Sequence, residues 1–198
     1  MSKAPDNHLA GRTRFNDERD NELISRIVAR DRTALTALYT SYHARLLRFV
    51  QRLTGDIETA QECVNDVMLV VWTSAEAFGG RSRVSTWIMG IAYRKAMKAS
   101  TRQKRWTRRF KAADWAETIE RSVGIEAHTK ELIDKDLMYR AMQLLPPKKR
   151  AVVELTYYFG YSYDEIAEIV GCPTNTVKTR MFHARAHLKK LLQEFGLD

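Results

Sequence analysis

The chain has 198 residues, and its 33 lysines and arginines outnumber its 24 acidic residues to give a formal net charge of +9. This length permits one domain or two small ones, and the charge favours a polyanionic partner, either nucleic acid or an anionic membrane surface. No apolar run approaches a membrane span and the N-terminus lacks the apolar core of a signal peptide, so we expect a cytoplasmic protein without membrane insertion. Cys63 and Cys172 lie far apart without other Cys or His at metal-ligand spacing, so we expect no metal, no cofactor and no disulfide.

The N-terminal part of the chain changes character near Asp20. Residues 1–19 mix glycine, proline, asparagine and charged residues without periodicity, which predicts a flexible tail. From there apolar residues recur at helical spacing, and Asp20 is the predicted cap of the first helix. A second helix is predicted to begin at Asp31 and to end at Gly55. No stretch alternates apolar and polar residues as a strand does, so the predicted fold class is all-α.

A third helix, predicted from Ile57 to Phe78 with Asp56 as its cap, has two distinct sides. Its packed side is predicted to consist of Ile57, Ala60, Val64, Val67, Met68 and Val71. Its outer side is acidic around one leucine and includes Glu58, Glu62, Asn65, Asp66 and Leu69. An exposed leucine ringed by carboxylates suits contact with a basic protein. From this helix alone, an ordinary solvated face with one tolerated leucine is the favoured interpretation.

The next segment carries charge of one sign. A loop with two glycines follows Phe78, and Ser82 is the predicted cap of a fourth helix from Arg83 to about Arg105. Eleven cations and no acid lie between Glu76 and Asp114, which is typical of a phosphate-binding surface.

Exposed aromatic and thioether side chains are predicted on this fourth helix, opposite its apolar seam: Met89, Tyr93 and Met97. Aromatic rings beside cations are what single-stranded bases stack on. Trp87 lies nearer the apolar side and is interpreted as a core residue. Lys95 falls near the seam, so either its stem packs there with the ammonium reaching outward, or the helix is irregular.

After the basic segment acidic residues outnumber basic ones, and residues 113–130 are predicted to form an acidic linker. A helix with apolar residues from Leu132 to Leu144 is predicted to end before Pro146, and another to run from Lys148 to Phe159 and close at Gly160. These two helices supply the core that a short C-terminal helix pair lacks.

That C-terminal pair is predicted to be a helix-turn-helix. Ser162 and Glu165 have the spacing of a capping box, Gly171 is a predicted helix end, Pro173 enforces the break, and Thr174 is the predicted cap of a longer helix. The second helix of such a motif enters the major groove of DNA.

The polar side of this longer helix is suited to DNA. Its predicted reading positions and their flanks are Thr174, Asn175, Thr176, Lys178, Thr179, Arg180, Phe182, His183 and Arg185. No acid occurs between Ile169 and Gln193, as phosphate contact requires. The alternative is a helical hairpin inside a bundle with a solvated basic face.

With both halves in view, the chain resembles a bacterial extracytoplasmic-function sigma factor over about residues 20–195. The first family pattern is matched by Thr54-Gly55-Asp56 and by Ala60-Gln61-Glu62-Cys63-Val64-Asn65-Asp66-Val67-Met68-Leu69 with Trp72. The second is matched by Phe78-Gly79-Gly80, Thr86-Trp87-Ile88 and Ile91-Ala92. The third is matched by Leu145-Pro146, Arg150, Leu155, Gly160, Ser162-Tyr163, Glu165-Ile166-Ala167, Gly171, Thr176-Val177-Lys178-Thr179-Arg180-Met181, Ala184-Arg185 and Leu188.

The resemblance implies a transcription initiation factor that is not an enzyme, with a sigma region 2 domain at 20–112 and a sigma region 4 domain at 131–198. It implies that the acidic face, Glu58, Glu62, Asn65, Asp66 and Leu69, binds the clamp of the largest subunit of core RNA polymerase. It implies that the helix-turn-helix reads the minus-thirty-five element and that an anti-sigma factor regulates the protein. The implied contacts to the melted minus-ten strand are Phe78, Gly79, Arg81, Ser82, Arg83, Ser85, Tyr93, Arg94, Lys95, Lys98 and Arg102.

Three departures and two alternatives accompany this expectation. The family commonly has asparagine where this chain has Lys95, an Asp-Arg pattern where it has Ala99-Ser100-Thr101-Arg102, and glycine where it has Asn175. A helix-turn-helix regulator that acts without joining core polymerase would explain the C-terminal module, but not the acidic face or the basic helix. A DNA-processing enzyme would need a cluster of carboxylates or an activated nucleophile. The histidines have no paired partners at useful spacing.

Overall fold

In a computed structural model the described residues are 17–110 and 130–195, and they form helices and turns with no strand among them. The first group is α1 (Asp17–Val28), α2 (Arg32–Thr54), α3 (Ile57–Ser74), a 3-10 turn (Ala75–Phe78) and α4 (Val84–Phe110). The second group is α5 (Lys130–Leu144), α6 (Pro147–Tyr157), α7 (Tyr163–Val170) and α8 (Thr174–Glu194). The predicted all-α class is confirmed. None of the helices in these two ranges is both long and apolar enough to span a membrane.

Short side chains fix the ends of α2 and α3 as the sequence predicts. The Asp31 carboxylate accepts hydrogen bonds from the backbone N–H of Thr33 at 2.8 Å and of Ala34 at 3.3 Å. Gly55 ends α2 with φ +78°, a left-handed conformation that glycine adopts without strain. Asp56 then accepts from the Thr59 N–H at 2.7 Å and starts α3.

Three local predictions are wrong. Asp20 is not a cap: α1 already begins at Asp17, inside the predicted tail, and tail residues 1–16 lie outside the described ones. Ile57, predicted on the packed side of α3, is 41% exposed because it is the first residue of the helix. Ser82 does not cap α4, since its hydroxyl donates to the Arg83 carbonyl at 3.4 Å.

Asp20 instead joins α1 to α2 through a buried hydrogen bond. It is 5% exposed and accepts a 2.5 Å hydrogen bond from the hydroxyl of Tyr42, which is fully buried. Burial raises the pKa of the Asp20 carboxyl, and the bond from Tyr42 opposes that rise. This polar contact is buried because α1 packs against α2.

The apolar core runs without interruption from the first helix group into the second. Buried side chains of α1 to α4 form one continuous cluster with those of α6 to α8. At the junction the Phe49 ring of α2 meets the Phe159 ring edge-on at a centroid distance of 5.4 Å. The two groups, here called the first module (α1–α4) and the second module (α5–α8), therefore pack against each other. All but the last residue of the predicted linker 113–130 lies outside the described residues.

Candidate nucleic-acid and polymerase interfaces

The outer face of α3 is exposed along its length. Leu69 is 59% exposed, and the four polar members of the predicted polymerase-binding set, Glu58, Glu62, Asn65 and Asp66, are all exposed around it. The opposite side of the helix, including Val64 and Val71, is fully buried. An apolar centre with an acidic rim is thus presented on a rigid helix, which is the geometry of a protein-binding patch.

Lys95 connects this face to the basic helix. Its ammonium group lies 2.9 Å from the Asp66 carboxylate, with the Lys95 side chain 33% exposed. The first of the two predicted arrangements is therefore the observed one: the stem packs against the seam and the charged end reaches outward. The predicted minus-ten contact Lys95 and the predicted polymerase contact Asp66 are partners of each other in this conformation.

The loop before α4 is held by an aromatic pair. Phe78 is 9% exposed, and its ring lies 5.3 Å from that of Trp87, which is half-buried as predicted for a core residue. Gly79 and Gly80 follow with φ of +62° and +66°, so the chain turns in a conformation that residues with a side chain adopt only at a cost. Of the predicted minus-ten contacts, this arrangement exposes Gly79 and Arg81 and leaves Ser82 half-buried.

Arg83, the residue just before α4, bridges α1 and α7. Its guanidinium pairs with Asp17 of α1 at 3.3 Å and with Glu165 of α7 at 3.1 Å. The same Glu165 carboxylate accepts the Ser162 N–H at 2.8 Å, and the Ser162 hydroxyl in turn accepts the Glu165 N–H at 3.3 Å. The predicted capping box of α7 is confirmed, and a predicted strand-binding arginine is bound to it. Along α4, Arg94, Lys98 and Arg102 are exposed.

The predicted exposed side of α4 is instead covered. Ser85 is 2% exposed, Met89 is completely buried and Tyr93 is 6% exposed, so the expectation of a free stacking surface is wrong for this conformation. The cause is α7, which packs across α4 so closely that a Cβ on Gly90 would lie 3.6 Å from the Ile169 carbonyl oxygen. Burial raises the pKa of the Tyr93 hydroxyl, and the nearby Arg180 guanidinium opposes that rise.

The helix-turn-helix has the predicted turn and the predicted inner face. Gly171 ends α7 with φ +65°, and Val177, Met181 and Ala184 of α8 are buried. Thr174 is not the cap, however: it is the first residue of α8, and its hydroxyl donates to Asp164 at 2.9 Å. Thr174 therefore ties the start of α8 to α7.

The outer face of α8 is open to solvent. Phe182 is 70% exposed, with its ring 5.5 Å from that of His183. The other exposed members of the predicted reading set are Asn175, Lys178, Thr179, His183 and Arg185. Thr176 and Arg180 are half-buried, and the Nη1 atom of Arg180 is buried without a hydrogen-bond partner among the described residues. Arg185, by contrast, is exposed and donates a hydrogen bond to the Tyr157 hydroxyl at 2.5 Å.

A buried charge network at the module junction was not predicted. Glu154 of α6 is 1% exposed and pairs with Arg52 of α2 at 3.2 Å. Burial raises the pKa of Glu154 against the effect of its arginines, and burial lowers the pKa of Arg150, which is 5% exposed. A glutamate inside the apolar run Val152-Val153-Glu154-Leu155 is the signal that could have indicated a buried, partnered carboxylate.

Comparison with known proteins gives matches to both modules. Residues 38–107 match the family model described as Sigma-70 region 2, and residues 135–188 match the one described as Sigma-70, region 4. The ECF RNA polymerase sigma factor SigL of Mycobacterium tuberculosis is 31% identical over 175 residues, which cover 88% of this chain and 97% of that protein.

Two solved structures share the fold. The structure of CnrH in complex with the cytosolic domain of CnrY has a TM-score of 0.66 at 17% identity and covers 89% of this chain and 98% of that one. The sigma factor RpoE of Bartonella quintana, in complex with the anti-sigma factor NepR, has a TM-score of 0.60 at 23% identity and covers 80% and 96% of the two chains.

Proposed function

The chain belongs to the ECF family of RNA polymerase sigma factors, and we propose that it binds core RNA polymerase and directs it to specific promoters. We assign residues 20–112 to core binding and minus-ten capture, 113–130 to a linker and 131–198 to minus-thirty-five reading. In this proposal the protein has no chemistry of its own and works in the cytoplasm. An anti-sigma factor is a further proposed partner, supported by the complex of the similar RpoE with NepR.

The exposed acidic face of α3 is the observation that carries the proposal. Leu69 lies on this face and is 59% exposed, whereas the opposite side of the helix is fully packed. The Leu69 side chain therefore contributes little to the packing of the described part of the chain. A partner that covers it would gain apolar burial at the centre, and Glu62 and Asp66 would attract basic side chains at the rim. We assign this face to the clamp of the largest polymerase subunit.

Duplex reading is assigned to α8. Its exposed side presents hydrogen-bonding residues such as Asn175 and Thr179, an aromatic ring at Phe182 and the cation of Lys178. In a major groove, phosphate contacts from the cation fix the register, and base edges are read by the polar and apolar groups. The absence of any acid from α8 before Glu194 supports this assignment.

Strand capture is assigned to the 78–85 loop and α4. Extruding a base from the duplex costs about a few kcal/mol, and stacking on protein aromatics returns roughly 1–3 kcal/mol per base. The exposed cations Arg94, Lys98 and Arg102 would hold the strand's phosphates along the helix. Two readers on one chain also raise specificity, because the second binds at the effective concentration set by the linker.

Titration of a fluorescently labelled chain with purified core polymerase tests this function. About three fifths of the Leu69 surface is still exposed, so its burial is worth about 1–2 kcal/mol, and Leu69→Ala should weaken core binding roughly 5- to 30-fold. Ile57→Ala is the matched control, because Ile57 is 41% exposed on the same helix but lies about 120° round its axis. Duplex binding without any core binding by the wild type would support the helix-turn-helix regulator instead.

A further inference from the structure

Tyr157, the last residue of α6, meets Arg185 of α8 at the surface of the second module. The Arg185 guanidinium donates a 2.5 Å hydrogen bond to the Tyr157 hydroxyl and lies 5.8 Å from the centroid of the tyrosine ring. Both side chains remain accessible, since Tyr157 is 49% exposed and Arg185 is exposed. The contact joins a member of the predicted reading set to a residue that no sequence motif indicated.

Arg185 lies on the open side of α8. Lys178, Phe182 and Arg185 follow one another at spacings of four and three residues, which places them within about 60° of each other around the helix axis. All three are exposed and form the surface assigned to duplex DNA. Tyr157 therefore borders this surface, although it belongs to a different helix.

The charge of Arg185 is not neutralised by its partner. Other arginines that connect helices in this chain pair with carboxylates, such as Arg52 with Glu154 at 3.2 Å and Arg83 with Glu165 at 3.1 Å. Arg185 instead meets a neutral phenol, and no carboxylate among the described residues forms an ion pair with it. The hydroxyl thus orients the guanidinium and leaves its full positive charge for an anion.

The Tyr157 hydroxyl also has a donor to offer. A phenolic oxygen can accept one hydrogen bond and donate another. The oxygen accepts from Arg185, and no acceptor in residues 17–110 or 130–195 takes the hydroxyl proton. An anion that approaches the guanidinium would meet a neutral O–H donor beside the charge. The phosphate of a DNA backbone has oxygens for both, and arginine and tyrosine are both among the side chains that contact it.

We propose that Tyr157 and Arg185 form one phosphate-binding site for duplex DNA beside α8, and that Tyr157 is its positioning residue. The guanidinium binds a phosphodiester oxygen, while the phenol holds the guanidinium in place and donates its O–H to the same phosphate. The proposal rests on the assignment of α8 to duplex reading. Because a phosphate carries no sequence information, the site fixes the register of α8 on the duplex and does not select bases.

The test measures duplex binding by full-length chains. Tyr157→Phe removes only the hydroxyl and keeps the ring beside Arg185. Tyr158→Phe is the matched control, because Tyr158 is 51% exposed and its ring lies 3.9 Å from the Arg52 guanidinium of α2 instead of beside α8. Arg185→Ala and the double variant complete a double-mutant cycle. Binding is measured by fluorescence anisotropy with two labelled duplexes of unrelated sequence over a series of KCl concentrations, and a urea titration of each chain measures its stability.

We expect Tyr157→Phe to weaken binding to both duplexes about threefold and to keep the wild-type salt slope, because it removes a neutral donor and no cation. Arg185→Ala should weaken binding about tenfold at low salt and lower the slope by about 0.9. The double variant should bind like Arg185→Ala alone, since the hydroxyl acts only together with the guanidinium. Tyr158→Phe should bind like the wild type.

Wild-type affinity of Tyr157→Phe, together with a loss for Arg185→Ala, would overturn the role of Tyr157 and leave duplex reading by α8 intact. Additive losses in the double variant would overturn the shared site. A contact that only stabilises the packing of α6 on α8 would change the free energy of unfolding and leave duplex affinity unchanged. Absence of duplex binding by the wild type would contradict the assignment of α8 to the duplex, and the proposed site with it.

Discussion

Lys178 is the cleanest cation on α8 with which to test duplex contact. It is exposed in the second turn of the helix and has no ion pair among the described residues. Other cations of α8 are engaged: Arg185 donates to the Tyr157 hydroxyl, and Lys190 lies 3.8 Å from Glu194. Replacing Lys178 by alanine therefore removes a charge without breaking a described contact.

The expected effect follows from counterion release at Lys178. One phosphate contact contributes about 0.9 to the slope of log K against log salt. Between about 1 M and 0.15 M salt this amounts to roughly 0.7 decades, so Lys178→Ala should weaken duplex binding about fivefold, or by about 1 kcal/mol, at the lower salt. At about 1 M salt the variant and the wild type should bind almost equally.

Fluorescence anisotropy of a short labelled duplex, titrated over a series of KCl concentrations, measures this slope. Lys190→Ala is the matched control, since it removes the same charge near the C-terminal end of α8, where Glu194 already neutralises it in part. The control should keep the wild-type slope. Equal slopes for the wild type and Lys178→Ala would refute direct phosphate contact by Lys178.

Three further predictions concern stability. Gly171→Ala should lower the free energy of unfolding by about 1–2 kcal/mol in a urea titration, because φ is +65° with no atom within 4 Å of the new Cβ; no loss would contradict a purely conformational cost. Arg30 also has a positive φ of 65° and donates to the Trp72 carbonyl at 3.1 Å, so Arg30→Gly should be about 1 kcal/mol more stable than Arg30→Ala, and equal stability would argue against strain there. The Asp20 carboxyl has a pKa raised above its usual 3.8, so the folded state binds its proton first, and the wild type should gain stability relative to Asp20→Asn as pH falls through the raised pKa. Thermal unfolding of both chains from pH 7 to pH 4 measures that difference, and a difference that is constant or moves the other way would contradict the burial.

Local sequence signals predicted the starts of α2, α3 and α7, whereas the caps predicted at Asp20, Ser82 and Thr174 are wrong. Asp31, Asp56 and the Ser162–Glu165 box act through backbone N–H groups two or three residues away, so their effect is contained in the sequence around them. Asp20 shows the limit of such signals. Its partner Tyr42 lies 22 residues away, and only the packing of α1 on α2 decides that the carboxylate is buried and not a cap.

The exposure of the predicted sites was less predictable. Helical azimuth placed Leu69 outside correctly, because nothing in the described chain packs over α3 there. The same reasoning failed for Met89 and Tyr93, because α7 covers them and a helix pattern contains no information on a second module. The angular position of residues around a helix axis predicts which of them share a face. Whether that face is buried depends on which other helices pack against it. The ion pair of Arg52 on α2 with Glu154 was missed for the same reason.

Run-off transcription with purified core RNA polymerase on candidate promoters tests most directly whether this chain is an initiation factor. Core polymerase alone lacks start-site selection, so addition of the chain should yield a discrete transcript from its own promoters and none from unrelated templates. The Leu69→Ala chain should need a higher concentration to give the same product. Identical products with and without the chain, together with no co-elution with core polymerase, would contradict its function as a sigma factor.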